Sequence, residues 1–287
     1  MRYHKPDSFV EASRIASAAG RYRFLAGGTD VLVQMRAGIS TPEDMIDLKG
    51  IPGVGDIART PEGGWRIGVA VPGAVLGRHA SLKADWPGVV EGMNLVGSTQ
   101  VQGRATLAGN LCNGSPAADS VPGLIAACAR VEVTGSTGTR EILVEDVPAG
   151  PGRTTLAPGE VVSAILLPPR GAGGGDAYLR FIPRTEMDIA VVGCAVSLRF
   201  ADGVITEARV ALGAVAPTVL LVPEAAAALI GTQGDGVALA ALSAAAMGAA
   251  RPISDRRGTA EFRKEIAGVL ARRAATIALA RARGEPA

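Results

Sequence analysis

The chain has 287 residues, of which 48% are apolar, and its 29 Lys and Arg nearly balance its 27 Asp and Glu. The apolar fraction excludes global disorder and is sufficient for one large core or for two to three small ones. A net charge of +2 gives no general electrostatic attraction to nucleic acid or to a membrane surface, so neither is expected as a partner.

Two further features restrict the class of protein. The three cysteines, Cys112, Cys128 and Cys194, form no C-x-x-C pair, so no four-thiolate iron–sulfur or zinc site is expected within this chain. The two histidines do not form an H-E-x-x-H motif. The longest apolar run, 237–250, is shorter than the roughly 20 residues of a membrane span. Since the N-terminus also lacks a signal-peptide pattern, we expect a cytoplasmic chain.

Residues 1–52 predict a small β/α unit. Ser8 and Glu11 have the spacing of a capping box, and Gly20 suits the C′ position of the helix that follows. The predicted elements, in order, are this helix, a strand over 21–26, a helix through Arg36 and a strand over 45–48. A glycine pair, Gly27-Gly28, lies where the first strand ends.

Residues 53–172 predict a second unit that is rich in strands. The predicted strands are 65–69, 131–134, 141–144 and 161–167, and the predicted helices are 87–96 and 119–129. The stretch 168–175, with two prolines and four glycines, predicts a linker that ends this unit.

Residues 173–287 predict a third unit in which strands precede helices. The predicted strands are 177–181, 190–200 and 204–213, and the predicted helices are 223–230, 237–250 and 259–283. Asp202-Gly203 between two strands is typical of a tight hairpin. Strands followed by helices indicate an α+β fold. The basic residues of the last helix are interpreted as a solvated face: Arg263, Lys264, Arg272, Arg273, Arg281 and Arg283.

Two glycine segments are candidates for binding a pyrophosphate. They are Ala26-Gly27-Gly28-Thr29-Asp30, after a strand, and Thr106-Leu107-Ala108-Gly109-Asn110. A pyrophosphate requires several backbone N–H groups that point one way, which glycine permits, and Ser or Thr hydroxyls add donors. Both segments are interpreted as loops, and neither fits the Rossmann or P-loop pattern. Together they favour a dinucleotide that is shared by two subdomains.

Five ordered segments carry a resemblance to a known family. They are FLAGGTDV at 24–31, TLAGN at 106–110 with Asp119, RTEMDIA at 184–190, LGAVAP at 212–217 and ISDRRGTAEFR at 253–263. The chain resembles the FAD-binding medium subunits of the molybdenum hydroxylases, the group of carbon monoxide, xanthine and nicotine dehydrogenases. The resemblance implies two N-terminal subdomains of the vanillyl-alcohol oxidase type, followed by a C-terminal domain of three strands and three helices.

The same resemblance implies the residues that bind FAD. Those of the two segments are Leu25, Ala26, Gly27, Gly28, Thr29, Asp30, Val31, Thr106, Ala108, Gly109 and Asn110. Asp119 would hold the adenosine or ribityl side, Val96 would lie against the flavin, and Val162 would touch the adenine half. Arg180 stands where xanthine dehydrogenases carry a lysine near the isoalloxazine.

This sequence departs from the family pattern at several positions. Ala108 stands where glycine is usual, so a left-handed conformation there would cost about 1 kcal/mol. Val96 is not aromatic, and whether Tyr178 or Cys112 contacts the flavin stays open, although both are expected to be packed side chains. Cys128 and Cys194 are expected in the core. We expect a backbone-pinning role for Asp188 and a structural polar cluster at Asp255 and Arg256.

The function implied by the resemblance is that of an FAD-carrying electron-transfer subunit. A large molybdopterin-binding subunit and a small subunit with [2Fe–2S] clusters would be partners, in a dimer of heterotrimers, and electrons would pass through FAD to an external acceptor. Two alternatives stay open: a self-contained flavin-dependent reductase resembling the enolpyruvyl-UDP-sugar reductases, and a non-catalytic protein for assembly or cofactor delivery. The sequence identifies neither the substrate of the complex nor the acceptor.

Overall fold

The computed structural model describes residues 1–184 and 187–286. Its strands form three larger sheets and one two-stranded pair, and helices pack on the sheets. The α+β fold class is confirmed. Each larger sheet falls within one of the three predicted ranges, whose exact bounds stay a prediction.

The first sheet is small and parallel. Its unit contains, in order, β1 (Arg2–His4), α1 (Phe9–Ala18), β2 (Tyr22–Leu25), α2 (Val31–Arg36) and β3 (Asp44–Asp47). The strand order is β1-β3-β2, so β2 lies at an edge. The Ser8 side chain accepts a hydrogen bond from the Glu11 amide and begins α1 as predicted. Helix α1 ends in extended backbone at Ala19, rather than in the left-handed turn that Gly20 predicted.

The second unit is built on an antiparallel five-stranded sheet with the order β4-β5-β10-β6-β7. Its strands are β4 (Ile57–Arg59), β5 (Trp65–Gly68), β6 (Arg130–Gly135), β7 (Gly138–Leu143), β8 (Pro148–Gly150), β9 (Arg153–Thr154) and β10 (Val161–Leu167). Its helices are α3 (Gly73–Leu76), α4 (Ala80–Asp85), α5 (Pro87–Asn94), α6 (Thr99–Gln102), α7 (Leu107–Cys112) and α8 (Ser120–Ala126).

Several short elements of this unit were not predicted. Helices α3, α4, α6 and α7 have only four to six residues, too few for an apolar period to be recognised. The helix predicted over 119–129 ends at Ala126. Cys128 lies in the turn that follows, with a φ of 53°, and its side chain is exposed, so its predicted core position is wrong.

The third unit is an antiparallel sheet covered by helices. Its strands, in sheet order, are β11 (Gly174–Phe181), β12 (Val192–Ala201), β13 (Val204–Gly213) and the two-residue β14 (Leu220–Leu221). The helices are α9 (Pro223–Ala227), α10 (Gly236–Ala249) and α11 (Ala260–Ala282). The hairpin at Asp202-Gly203 is confirmed, with φ of 52° and 83°. The short β14 makes the sheet four-stranded, where three strands were expected.

The segment 168–173 connects β10 to β11 without helix or strand, and β11 begins at Gly174, two residues before the end of the predicted linker. Arg170 in this connection stacks 4.2 Å from the Trp86 ring centre and pairs with Asp176 at 3.0 Å.

The prediction of a solvated basic face on α11 is partly wrong. The basic residues of α11 do not all face solvent. Arg263 is buried and pairs with Asp255 at 2.6 Å, and Arg281 pairs with Glu91 of α5. The buried face of α11 consists mainly of alanines, whose small side chains let the helix lie close to its neighbours. The long arginine side chains can therefore reach carboxylates on the neighbouring elements.

The core arrangement positions the site. The first two units share one hydrophobic core, in which Ala12 and Ala16 of α1 pack with Val131 and Ile165 of the second sheet. The third unit has a separate core. The junction between the first two units leaves a large cavity. No helix in the described part of the chain is long and apolar enough to cross a membrane.

Candidate functional site

A cavity of about 960 Å³ lies between the first two units. Its wall includes both glycine segments, the strand β2, the loop before β10 and the residue Val96. This volume is near the upper end of the range of about 300–1,000 Å³ that small-molecule sites occupy. The cavity can therefore hold a large ligand.

The first glycine segment depends on having no side chains at two positions. A Cβ at Gly27 would clash with the carbonyl oxygen of Arg104 and would lie 3.2 Å from the Cα of Ala105. Gly28 has a φ of 85°, in the left-handed region that favours glycine. Gly27 thus lets the end of β2 pack directly against the backbone that leads into the second segment, and Gly28 permits the turn that follows.

The second glycine segment is the start of a helix rather than a loop. Thr106 is the N-cap of α7, and its side-chain oxygen accepts a hydrogen bond from the Gly109 amide at 3.0 Å. Ala108 lies within the helix, so the left-handed strain considered for it does not arise. The amides of a helix's first turn have no partner within the helix. The Gly109 amide is bonded to Thr106, so the amide of Ala108, which lines the cavity, is the donor left for a ligand.

Most of the predicted cofactor-binding residues line this one cavity. They are Ala26, Gly27, Gly28, Thr29, Asp30, Val31, Val96, Thr106, Ala108, Gly109, Asn110 and Val162. Leu25, Asp119 and Arg180 do not line it. Leu25 is buried directly behind the first segment. The structure thus brings together residues that are separated by up to 136 positions in the sequence (26 to 162).

Asp119 and Arg180 form a buried ion pair between the second and third units. The Asp119 carboxylate accepts hydrogen bonds from Tyr178 Oη at 2.8 Å and from Arg180 Nη1 at 2.6 Å. Burial raises the pKa of Asp119, and the charge of Arg180 opposes this effect. Tyr178 is fully enclosed and bonded to Asp119, as expected of a packed side chain. The Nε of Arg180 is buried and has no hydrogen-bond partner among the described residues.

Other polar groups also line the cavity. Burial raises the pKa of the Asp30 carboxyl. Protein atoms around the Cys112 thiol raise its pKa to about 12, although solvent reaches this residue through the cavity. The Gln34 side-chain amide donates to the Asn113 side chain at 2.9 Å, which joins α2 to the end of α7. Because Cys112 is exposed to the cavity, the prediction of a packed side chain there is wrong.

Sequence reasoning missed two aromatic residues of the cavity. Tyr22 and Phe24 on β2 line it, with ring centres 5.3 Å apart in an edge-to-face arrangement. Tyr22 Oη accepts a hydrogen bond from the Gly159 amide at 2.7 Å. Their position directly before the first glycine segment was the available signal, since a strand that runs into a ligand-binding turn also contributes to the site.

The charged motifs of the third unit have structural roles. Asp188 has only 2% of its side chain exposed and accepts hydrogen bonds from the Ile189 amide at 2.9 Å and from Arg184 Nε at 3.2 Å. The backbone-pinning role is therefore confirmed. Thr185 and Glu186 of the same motif lie outside the described residues. Among the residues that the structure describes, no group of three or more His, Cys, Asp or Glu is arranged to hold a metal ion.

Comparison with known proteins identifies the family. The pattern described as "FAD binding domain in molybdopterin dehydrogenase" matches residues 1–170, and "CO dehydrogenase flavoprotein C-terminal domain" matches residues 177–278. The carbon monoxide dehydrogenase medium chain of Afipia carboxidovorans is 35% identical, over 98% of this chain and 97% of the relative. The xanthine dehydrogenase FAD-binding subunit of Escherichia coli O157:H7 is 27% identical, over 99% and 97%.

A solved structure agrees with this identification. Reconstituted CO dehydrogenase from Oligotropha carboxidovorans contains a chain that superposes with a TM-score of 0.93 at 33% identity, covering 98% of both chains. The present chain therefore belongs to the family of FAD-binding medium subunits of the molybdenum hydroxylases. Its relatives are subunits of oxidoreductase complexes, as the motifs predicted.

Proposed function

We propose that this member of the FAD-binding medium-subunit family carries electrons within a heteromeric molybdenum hydroxylase. Electrons would enter from [2Fe–2S] clusters on a small subunit, after oxidation of the substrate on a large molybdopterin-binding subunit, and would leave to an external acceptor. FAD, when bound, supplies the capacity to accept and release these electrons. The single observation that carries the proposal is the cavity formed by both glycine segments, in a chain of this family.

The residues present fit the dinucleotide. Gly27 allows the backbones of the two segments to meet, and both segments line the cavity. In the proposal, amides of the first segment and that of Ala108 bind the pyrophosphate, because a doubly charged group needs several aligned donors. Val96 and Val162 would contact the two ends of the cofactor. Direct contacts of Leu25, Asp119 and Arg180 with FAD stay predictions.

The surface of the chain supports the assembly part of the proposal. Leu32 and Val33 on α2 are each more than half exposed. Helix α2 buries none of its residues, although four of its six are apolar. Clustered exposed apolar side chains are typical of chains that pack against another protein. This agrees with a role as one subunit of a larger complex.

The proposal is tested by purifying the tagged full-length chain together with the proteins that remain bound to it. We expect one FAD per chain, and we expect iron and molybdenum only in the fractions that contain the accompanying subunits. Reduction of the complex by its organic substrate should bleach the flavin absorbance, while the separated chain should not oxidise that substrate. Substrate turnover by the separated chain, or a complex without FAD, would refute the proposal.

A further inference from the structure

We propose that the contact between α5 and the edge of β11 is a pH-responsive latch, in which uptake of a proton by Asp176 releases the side chain of Arg170. The latch joins the second unit to the third. Neither residue lines the cavity between the first two units. The inference therefore goes beyond the proposed function and needs no bound ligand.

Strand β11 is held at its open edge by side chains rather than by another strand. It is the edge strand of its sheet. The Tyr178 amide donates to the Glu91 carboxylate of α5 at 2.9 Å. The Asp176 carbonyl accepts from Arg281 of α11 at 2.7 Å, and Arg281 also pairs with Glu91. These contacts cover backbone groups that an open edge would leave unpaired, and they fix the third unit against α5.

The Asp176 carboxylate takes the place of an N-cap for α5. Trp86, the residue before the helix, makes no side-chain capping bond. The Asp176 carboxylate instead accepts from the Gly88 amide at 2.9 Å, across the junction of the two units. A Cβ at Gly88 would lie 2.6 Å from this carboxylate and 3.0 Å from the backbone of Ala177, so the helix and the strand are in direct contact. The positive end of the helix dipole also favours a carboxylate here.

Arg170 is the part of the latch that is able to leave. It lies in the connecting segment 168–173, donates to the Asp176 carboxylate at 3.0 Å and stacks on the Trp86 ring. Its side chain is 14% exposed, so the guanidinium lies close to solvent. Burial lowers the pKa of Arg170, and the carboxylates of Asp176 and Asp85 oppose this effect. A guanidinium at this depth depends on a negative charge beside it, so loss of that charge favours its movement into water.

The charges around Asp176 determine when the latch responds. Burial raises the pKa of Asp176 to about 6. The Arg170 charge opposes this effect, the Glu91 charge adds to it, and Arg281 opposes it weakly. As pH falls through about 6, the Asp176 carboxylate becomes neutral and Arg170 is left with the repulsion of Arg281. The charged groups that act on Asp176 or Arg170 are Glu91 on α5, Arg281 on α11, and Asp85 of α4 with its partner Arg59.

The test follows the latch in the full-length chain as pH is changed from about 5 to about 8. The first readout is the fluorescence of Trp86, which responds to the cation stacked on its ring. It is recorded in a Trp65→Phe background, since Trp65 is the other tryptophan of the chain and lies beside His79. The second readout is hydrogen exchange of the connecting segment 168–173, corrected for the intrinsic exchange rate at each pH.

The wild type should show one transition near pH 6 in both readouts, with exchange about tenfold faster below it than above it. Asp176→Asn removes the charge at every pH, so it should give fast exchange and no transition. Glu91→Gln should move the transition to lower pH, because the Glu91 charge raises the pKa of Asp176. Asp202→Asn, in the exposed hairpin of the same unit, is the control and should match the wild type.

The outcomes separate the latch from the proposed function. Level readouts in the wild type would overturn the latch, and so would a transition that remains in Asp176→Asn. Should Asp176→Asn not fold, Glu91→Gln decides, and an unchanged midpoint in that variant would overturn the latch. A wild-type chain that shows the transition but does not bind FAD would keep the latch and refute the proposed cofactor.

Discussion

Replacing Gly27 by Ala is expected to weaken FAD binding while the fold is retained. The new methyl group would overlap the Arg104 carbonyl, so the two segments would have to separate by about 1 Å to restore normal contact. Overpacking of this kind costs about 1–3 kcal/mol in well-packed sites. Because both segments line the cavity, most of this cost should appear in binding, as a loss of affinity of about 5- to 150-fold.

The assay is a titration of the deflavinated chain with FAD, together with a thermal melt of the same sample. Gly55→Ala is the matched control, since a Cβ at Gly55 meets no atom within 4 Å. Its affinity and thermal midpoint should equal those of the wild type. The Gly27 variant without ligand should melt only a few degrees lower, while the stabilisation that FAD adds should be reduced.

The reasoning would be refuted by a Gly27→Ala variant that binds FAD within about twofold of the wild type. That result would mean that the contact between the two segments is not needed for the ligand. A variant that loses its fold would be followed by Gly27→Ser with Gly55→Ser as its control. Loss of folding in both Gly27 variants would assign the glycine to folding rather than to binding.

Three further substitutions test other parts of the structure. Burial raises the pKa of Asp176 from 3.8 to about 6, so the folded chain binds this proton more tightly than the unfolded chain. We therefore expect wild-type stability, relative to the Asp176→Asn variant, to decrease as this proton is lost. The difference between the two unfolding free energies should fall by about 3 kcal/mol as pH rises from 3.8 to about 6, and should stay level above that pH. Denaturant melts across this pH range measure the difference, and a difference that does not change with pH would contradict the prediction. Arg180→Met leaves the Asp119 carboxylate buried without its cation, which should lower the free energy of unfolding by about 3–5 kcal/mol. Adding Asp119→Asn should recover part of this loss in a double-mutant cycle. Strictly additive losses of stability would exclude a direct interaction between the two residues. Thr106→Ala removes the N-cap of α7 and should cost about 1 kcal/mol in a denaturant melt, whereas Thr106→Ser should cost less; equal losses would contradict the capping role.

The sequence by itself determined the features that depend on neighbouring residues. The hairpin at Asp202-Gly203 is one, because two residues that tolerate a left-handed backbone select that turn. The start of α1 at Ser8 is another, since a side chain and an amide three positions apart suffice. The ordered motifs identified the family for the same reason, because each is a short local pattern. Twelve of the fifteen residues predicted to bind the cofactor line the cavity.

Local patterns were insufficient where an element is very short or where a long-range contact decides the structure. The second glycine segment was interpreted as a loop, but Thr106 caps a helix of six residues, which is too short to show a period. Arg263 and Arg281 were assigned to a solvated face, but the carboxylates that pair with them come from other elements. Asp119 meets Arg180 from 61 positions away, and no spacing rule predicts such a pair.

The tertiary structure alone decided how the site is closed. Gly27 meets the carbonyl of Arg104, which is 77 positions later in the chain, and the Tyr22 hydroxyl meets the Gly159 amide, 137 positions later. Both contacts depend on how a parallel sheet and an antiparallel sheet share one core. The relative position of two sheets is set by the packing of many side chains at once, which the properties of individual residues along the chain do not encode.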